Sequence, residues 1–314
     1  MKKLCLLFVI ILVFLSGNSY AWNDDITHPH LSRRSVEESR LDAYLKDNLN
    51  LPNGITSKFG ENTVLKWLQE SSELEDNPAC RAGNHFHDPL KPWNQAGLTD
   101  TLWPVDLWCY FGQYPQNEVT SNVTWATGFL SALPQNKDTQ VTAFNEWDWD
   151  SAREYYHIYL TGKDFSGLDV ASDKRTRDEY MTKSFRALGQ VLHLLQDTAV
   201  PAHVRNDFSQ GHTYIFPDDK SMPWNWFGNW LEHLVKANDQ TARWFNQAIG
   251  GNLNTVSLTN FWDTDNWDGA VPVINEAYLG IAEFTNQNFV SEFISMSIRV
   301  KNAQILAKKI ILCS

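Results

Sequence analysis

The sequence predicts an all-α protein built as one multi-helix domain. Hydrophobic types make up 43% of the 314 residues, enough for a large core and too many for a disordered or collagen-like chain. Apolar residues recur at helical spacing in several segments, and strand-like alternation is scarce. The elements follow in chain order. Leu31 to Leu49 carries Leu31, Val36, Leu41, Tyr44, Leu45 and Leu49 and reads as a helix. Glu61 to Leu74 reads as a second. Gly83 to Asn145 is loop-rich, broken by Pro89, Pro92, Pro104, Pro115 and Pro134. Ser151 to Leu160 is a helix. Asp173 to Thr198 has the broadest apolar face, through Tyr180, Phe185, Leu188, Val191, Leu192 and Leu195, and Pro201 ends it. Trp230 to Ile249, Val273 to Phe293 and Ile298 to Ser314 are helical in pattern as well.

Residues 1–21 form a signal peptide in this reading. Lys2 and Lys3 precede an apolar run of 12 residues, Leu4 to Leu15, and Ser19-Tyr20-Ala21 has the form of a signal-peptidase site. The run is short for a bilayer span. Cleavage would leave residues 22–314, beginning at Trp22, in a secreted or periplasmic protein. Losing the two lysines takes the formal charge from −11 to −13. So acidic a chain has little to hold a nucleic-acid backbone by charge alone. Of the remaining cysteines, Cys80, Cys109 and Cys313, the odd count in an oxidising compartment implies one pair and one spare, and Cys80–Cys109 is the expected pair.

The chemistry concentrates in histidines. They fall in short motifs: Thr27-His28-Pro29-His30, Asn84-His85-Phe86-His87-Asp88-Pro89, then His193, His203, His212 and His233, with only His157 apart. His193 and Asp197 are four apart, so a helix points both the same way, one turn apart. Gln196 and Asp197 sit in an apolar helix, and burying such groups costs several kcal/mol unless they are satisfied (roughly 2–7 for an amide, more for a charge). Imidazole with carboxylate is the usual ligand set of zinc sites with open positions. The alternative for H-x3-D alone is a hydrogen-bonded pair at a helix end.

Gly189-x3-His193-x3-Asp197-x3-Pro201-x-His203 resembles the signature of the zinc-dependent phospholipase C / S1-P1 nuclease superfamily. The resemblance covers about residues 22–235 and implies a secreted all-helical fold with three zinc ions (Zn2+) in a cleft. It also implies an N-terminal tryptophan as a metal ligand, which matches Trp22 at the cleavage point. His28 matches the early histidine, with His30 as its competitor. Asp76 and His85 match the family's aspartate and its HFxDP histidine. With His193 and Asp197 they would hold the second zinc, Asp197 bridging to the first. His203, His212 and Glu232 would hold the third. His212 and Glu232 are 20 residues apart, against the family's usual four, and His233 could replace either. Trp224, Trp226 and Trp230 lie in that insertion and read either as core or as a cleft rim.

The resemblance implies phosphoester hydrolysis by a zinc-activated water, with Asp76 as a zinc ligand or as the catalytic base. The expected substrate is a phospholipid at a membrane surface, cleaved in the manner of phospholipase C. The alternative is a nucleic acid, as for single-strand nucleases and 3′-nucleotidases of the P1 type. A secreted metal-holding module without turnover is a third reading. No stable protein partner is expected, and the chain is expected to be a monomer.

Overall fold

The computed structural model describes residues 27–77, 79–98, 120–128, 145–206, 262–265, 267, 269 and 279–288. These residues are mainly helical. The helices are α1 (Thr27–Glu38), α2 (Leu41–Leu49), α3 (Val64–Glu73), α4 (Asn122–Thr127), α5 (Trp149–Thr161), α6 (Lys174–Asp197) and α7 (Ile281–Asn288). Two-residue strands, β1 (Lys58–Phe59) and β2 (Asn62–Thr63), pair antiparallel, Lys58 opposite Thr63. The signal peptide, Trp22, Cys109, Cys313 and the helices expected at Trp230 to Ile249 and Ile298 to Ser314 lie outside the described residues, as does the Cys80 side chain. No helix among the described residues is long and apolar enough to cross a membrane.

α6 is the axis of the structure, with α3 and α5 packed along it and α1 against α3. Its 24 residues span about 36 Å. Asp173 caps its start, accepting from the Thr176 N–H at 3.0 Å, the bond that satisfies one of the orphan donors of a helix N-terminus. At its end the Asp197 carbonyl accepts from Val200 N–H at 2.8 Å, so the chain has already turned before Pro201. The N-terminal half of α6 packs Met181 and Phe185 with Val36, Leu45, Phe59 and Leu68. The C-terminal half packs Val191 and Leu194 with Trp93, Val123, Trp125 and Trp262.

Two predicted helices differ in detail. Leu31 to Leu49 is two helices, because Ser39 caps both sides of a break: its Oγ donates to Val36 O at 2.8 Å and accepts from Leu41 N–H at 3.1 Å. A serine that bonds its own backbone competes with the helix in this way. Glu61 to Leu74 starts as a hairpin instead, turning at Gly60 with φ +61°. The helix begins at Val64, where Thr63 accepts from Lys66 N–H at 3.2 Å. Of Val273 to Phe293, the part described as helix is Ile281–Asn288.

Gly189 fixes how closely α3 approaches α6. A Cβ there would lie 2.6 Å from Ser71 Cβ and 2.7 Å from the Leu68 carbonyl oxygen, so backbone would have to move. Gly189→Ala gains helix propensity but should still lower stability by ~1–3 kcal/mol through overpacking. Urea unfolding checks this; an unchanged or raised midpoint would mean that the two helices can part without cost.

Candidate metal centre

Six of the sequence-predicted ligands converge at the C-terminal end of α6. His28 comes from α1, Asp76 from the 3-10 turn Leu74–Asp76, His85 from the 3-10 segment Ala79–His85, His193 and Asp197 from α6, and His203 from the 3-10 turn after Pro201. Trp22, His212 and Glu232, with His233, lie outside the described residues. The four histidines and Asp197 are all buried, while the Asp76 side chain keeps 14% exposure. Asp76 is thus the member of the group that faces solvent.

Asp197 is the centre. Its Oδ1 lies 3.5 Å from His28 Nε2. Its Oδ2 lies 3.0 Å from His85 Nδ1 and 3.2 Å from His193 Nε2. Neither oxygen has a hydrogen bond of acceptable geometry, although both are fully buried. The opposite edge of the group is Asp76, at 3.5 Å from His85 Nδ1 and 3.7 Å from His193 Nε2. Ligand atoms arranged tetrahedrally around an ion with bonds of ~2.0–2.1 Å stand about 3.4 Å apart. Four of the distances among the Asp76, His85, His193 and Asp197 atoms, 3.0, 3.2, 3.5 and 3.7 Å, lie around that value. Two overlapping groups, His28–His193–Asp197 and Asp76–His85–His193, each bring three ligand atoms within 4.8 Å of one another. The residues present therefore fit a divalent cation, and the donor set of imidazoles and carboxylates suits zinc.

Three of the four imidazoles are oriented from behind. His28 Nδ1–H donates to Gln196 Oε1 at 2.8 Å, and Gln196 in turn donates to Ser32 Oγ at 2.9 Å. His193 Nδ1–H donates to the Ser72 carbonyl at 2.5 Å, and His203 Nδ1–H to the His85 carbonyl at 2.9 Å. These bonds put the protons on Nδ1 and the lone pairs on Nε2, the arrangement a metal-ligating histidine requires. Gln196, the second polar residue in an apolar helix, is accounted for by this role.

The charges agree with this arrangement. Burial favours the neutral, ligating form of His28, well below the ordinary histidine range, and takes His203 to about 4. Burial also opposes ionisation of Asp197, but His193 and His203 outweigh it and hold the carboxyl well below its usual range. For His85 burial is again outweighed, by the Asp197 and Glu75 carboxylates, which raise it to about 10. Asp197 thus needs a positive charge beside it. Protons on His85 and His193 supply one, and a metal ion in their place would supply another.

Glu75 stands beside this group, and sequence reasoning did not single it out. It is fully buried, and its Oε1 lies 3.7 Å from His85 Nε2, on the side of the ring away from Asp197. Arg81 donates to Glu75 Oε2 at 2.6 Å, Trp125 Nε1–H donates to Oε1 at 2.8 Å, and Arg81 also reaches Asn145 and Gln190. The signal available in the sequence was the doublet Glu75-Asp76 followed six residues on from Glu75 by Arg81. His87, in the same motif as His85, is fully buried and not a surface loop residue.

Glu75→Gln should weaken metal binding ~10–100-fold, as expected of an outer-shell partner. It should also cost about 3 kcal/mol by leaving Arg81 without its counter-charge. Chelator competition and urea unfolding separate the two effects; lost stability with unchanged metal affinity would confine Glu75 to a packing role. No family model, no curated protein and no solved structure matches this chain.

Proposed function

We propose that this chain is a zinc-dependent phosphodiesterase of the phospholipase C / S1-P1 nuclease type, acting on phospholipid by phospholipase C-type hydrolysis. One observation carries the reading: a single buried carboxylate, Asp197, turns one bare oxygen toward His28 and the other toward His85 and His193. A carboxylate shared in this way between two groups of imidazoles would serve as a bridge if each group held a metal ion. In this reading His28 and Asp197, with Trp22, hold one zinc. Asp76, His85 and His193, with Asp197, hold the second. His203, with His212 and Glu232, holds the third.

Zinc, when bound, lowers the pKa of a coordinated water toward 7 (about 7 in hydrolytic enzymes) and neutralises charge on phosphoryl oxygens. The chain's own residues do the rest. Gln196 and the Ser72 carbonyl keep His28 and His193 in one tautomer and one orientation. Glu75 stands behind His85. Asp76, whose side chain keeps 14% exposure, would accept the proton of an attacking water at its carboxylate or remain a ligand. The net charge of −11 gives no attraction for polynucleotides, which favours lipid over nucleic acid as substrate.

The test is hydrolysis by the purified chain of phosphatidylcholine vesicles, single-stranded DNA and 3′-AMP, each with zinc and with chelator. Zinc-dependent release of diacylglycerol is expected. Cleavage of DNA or 3′-AMP alone would move the assignment to the nuclease branch. Zinc binding without any turnover would leave a metal-holding module.

Asp197→Asn should damage the centre more than Asp76→Asn. The amide is a neutral, weaker ligand between two sites, so more than one zinc should be lost per chain, with affinity falling beyond the ~10–100-fold of an outer-shell change. Elemental analysis of the two variants decides it. Full zinc content in Asp197→Asn would refute the bridge.

A further inference from the structure

Residues 262–265 and 279–288 lie beyond every motif in the sequence, yet they reach the wall of the metal centre. The contact runs through His85-Phe86-His87, where three successive residues point three ways. His85 faces Asp76 and Asp197. Phe86 stacks on the His203 ring, with centroids 4.5 Å apart and planes at 18°. His87 turns to the C-terminal segment, its Nε2 standing 2.6 Å from Asp263 Oδ2, with both side chains fully buried.

His203 is locked to this segment by its backbone as well as by its ring. The His87 N–H donates to the His203 carbonyl at 3.0 Å, and His203 Nδ1–H donates to the His85 carbonyl at 2.9 Å. Two hydrogen bonds and one stack thus make His203 follow any movement of residues 85–87. Asp263 fixes that segment in turn. Its Oδ2 also accepts from Trp93 Nε1–H at 3.0 Å, and its Oδ1 accepts from the Asp265 N–H at 2.9 Å. From the other side, Asn286 on α7 donates to the Val204 carbonyl at 2.5 Å, and Arg205 donates to the Asn286 carbonyl.

We propose that Asp263 is a positioning residue for the metal centre: through its bond to His87 it fixes residues 85–87, and so the orientation of the His203 imidazole as a ligand. The proposal rests on the metal-centre reading above. Without the Asp263 carboxylate, the buried His87 imidazole loses its charged partner, and a shift of the 85–87 segment relieves that loss. The shift passes to His203 through its backbone bond from His87 and its ring bond to the His85 carbonyl. A merely structural Asp263 would hold Trp262 and its neighbours in the core and nothing more.

The experiment is metal binding by the full chain, read by chelator competition with zinc and by the visible spectrum of the cobalt-substituted protein. Asp263→Asn should weaken one metal ~10–100-fold and shift the cobalt bands. Trp93→Phe removes a hydrogen bond from the same carboxylate without touching His87, and should lower stability while leaving affinity and bands unchanged. In a His203→Ala background, Asp263→Asn should have no further effect. A folded Asp263→Asn with wild-type affinity and spectrum overturns the proposal, as does an equal loss in the His203→Ala background. If Asp263→Asn does not fold, His87→Gln against His87→Ala decides. Gln keeps an N–H within reach of Asp263 and should bind metal more tightly than Ala; equal affinities overturn the proposal. Metal bound normally by a chain with no phosphoesterase activity would refute the proposed function and leave this inference standing.

Discussion

A carboxylate buried without a hydrogen bond to either oxygen is among the costliest groups a protein can hold. The effective penalty of burying an ion is several kcal/mol after relaxation, of order 20 before it. Asp197 is in that position, and the surrounding structure is arranged around its need for positive charge. α6 carries it inward, α1 delivers His28, the Ala79–His85 segment delivers His85, and the turn after Pro201 delivers His203. Each brings a ring nitrogen to 3.0–3.7 Å of Asp197. Direct in-line hydrogen bonds would have satisfied the carboxylate alone. The ring nitrogens of His28, His85 and His193 stand instead where a cation shared with the carboxylate would meet them.

That requirement reaches back into helix packing. His193 is held by the carbonyl of Ser72, so α3 must lie close enough to α6 for a backbone atom to touch an imidazole. The space beside Gly189 permits it, because Ser71, Leu68 and Ser72 crowd the position where a Cβ would stand. The glycine and the histidine are four residues apart on one helix, so the close approach and the ligand it orients share a face. Backbone geometry, tautomer and charge are one problem here, solved by one residue without a side chain.

Local patterns made the frame of this site legible in the sequence. The four-residue step from His193 to Asp197, the apolar face of α6 and the break before Pro201 all depend on neighbours within one or two turns, and the structure follows them. The clustering of His28, His85 and His203 was legible only through resemblance, since nothing in their spacing brings them together. Glu75 and His87 were hidden for a different reason. Their partners Trp125 and Asp263 are 50 and 176 residues away, and a buried polar pair leaves no periodic trace. The break at Ser39 was also missed, because a serine on an amphipathic helix reads as an ordinary surface position until its hydroxyl is seen bonding Val36 and Leu41.

Glu75 and Asp76 illustrate how the fold divides labour between neighbours of like charge. Burial opposes the ionised form of Glu75, yet the Arg81 guanidinium outweighs it and keeps the carboxyl below its usual range. Burial raises Asp76, whose charge is offset in part by His193 and His85. One acid is therefore a fixed counter-charge, locked between Arg81 and Trp125. The other, a residue further along the same 3-10 turn, points to the solvent side of the histidines. A tight turn rotates successive side chains by roughly a third of a circle, enough to put one carboxylate behind His85 and the other in front of it. The two sides of that ring nitrogen pair are then both negative, and His85 is held between them in the orientation a ligand needs.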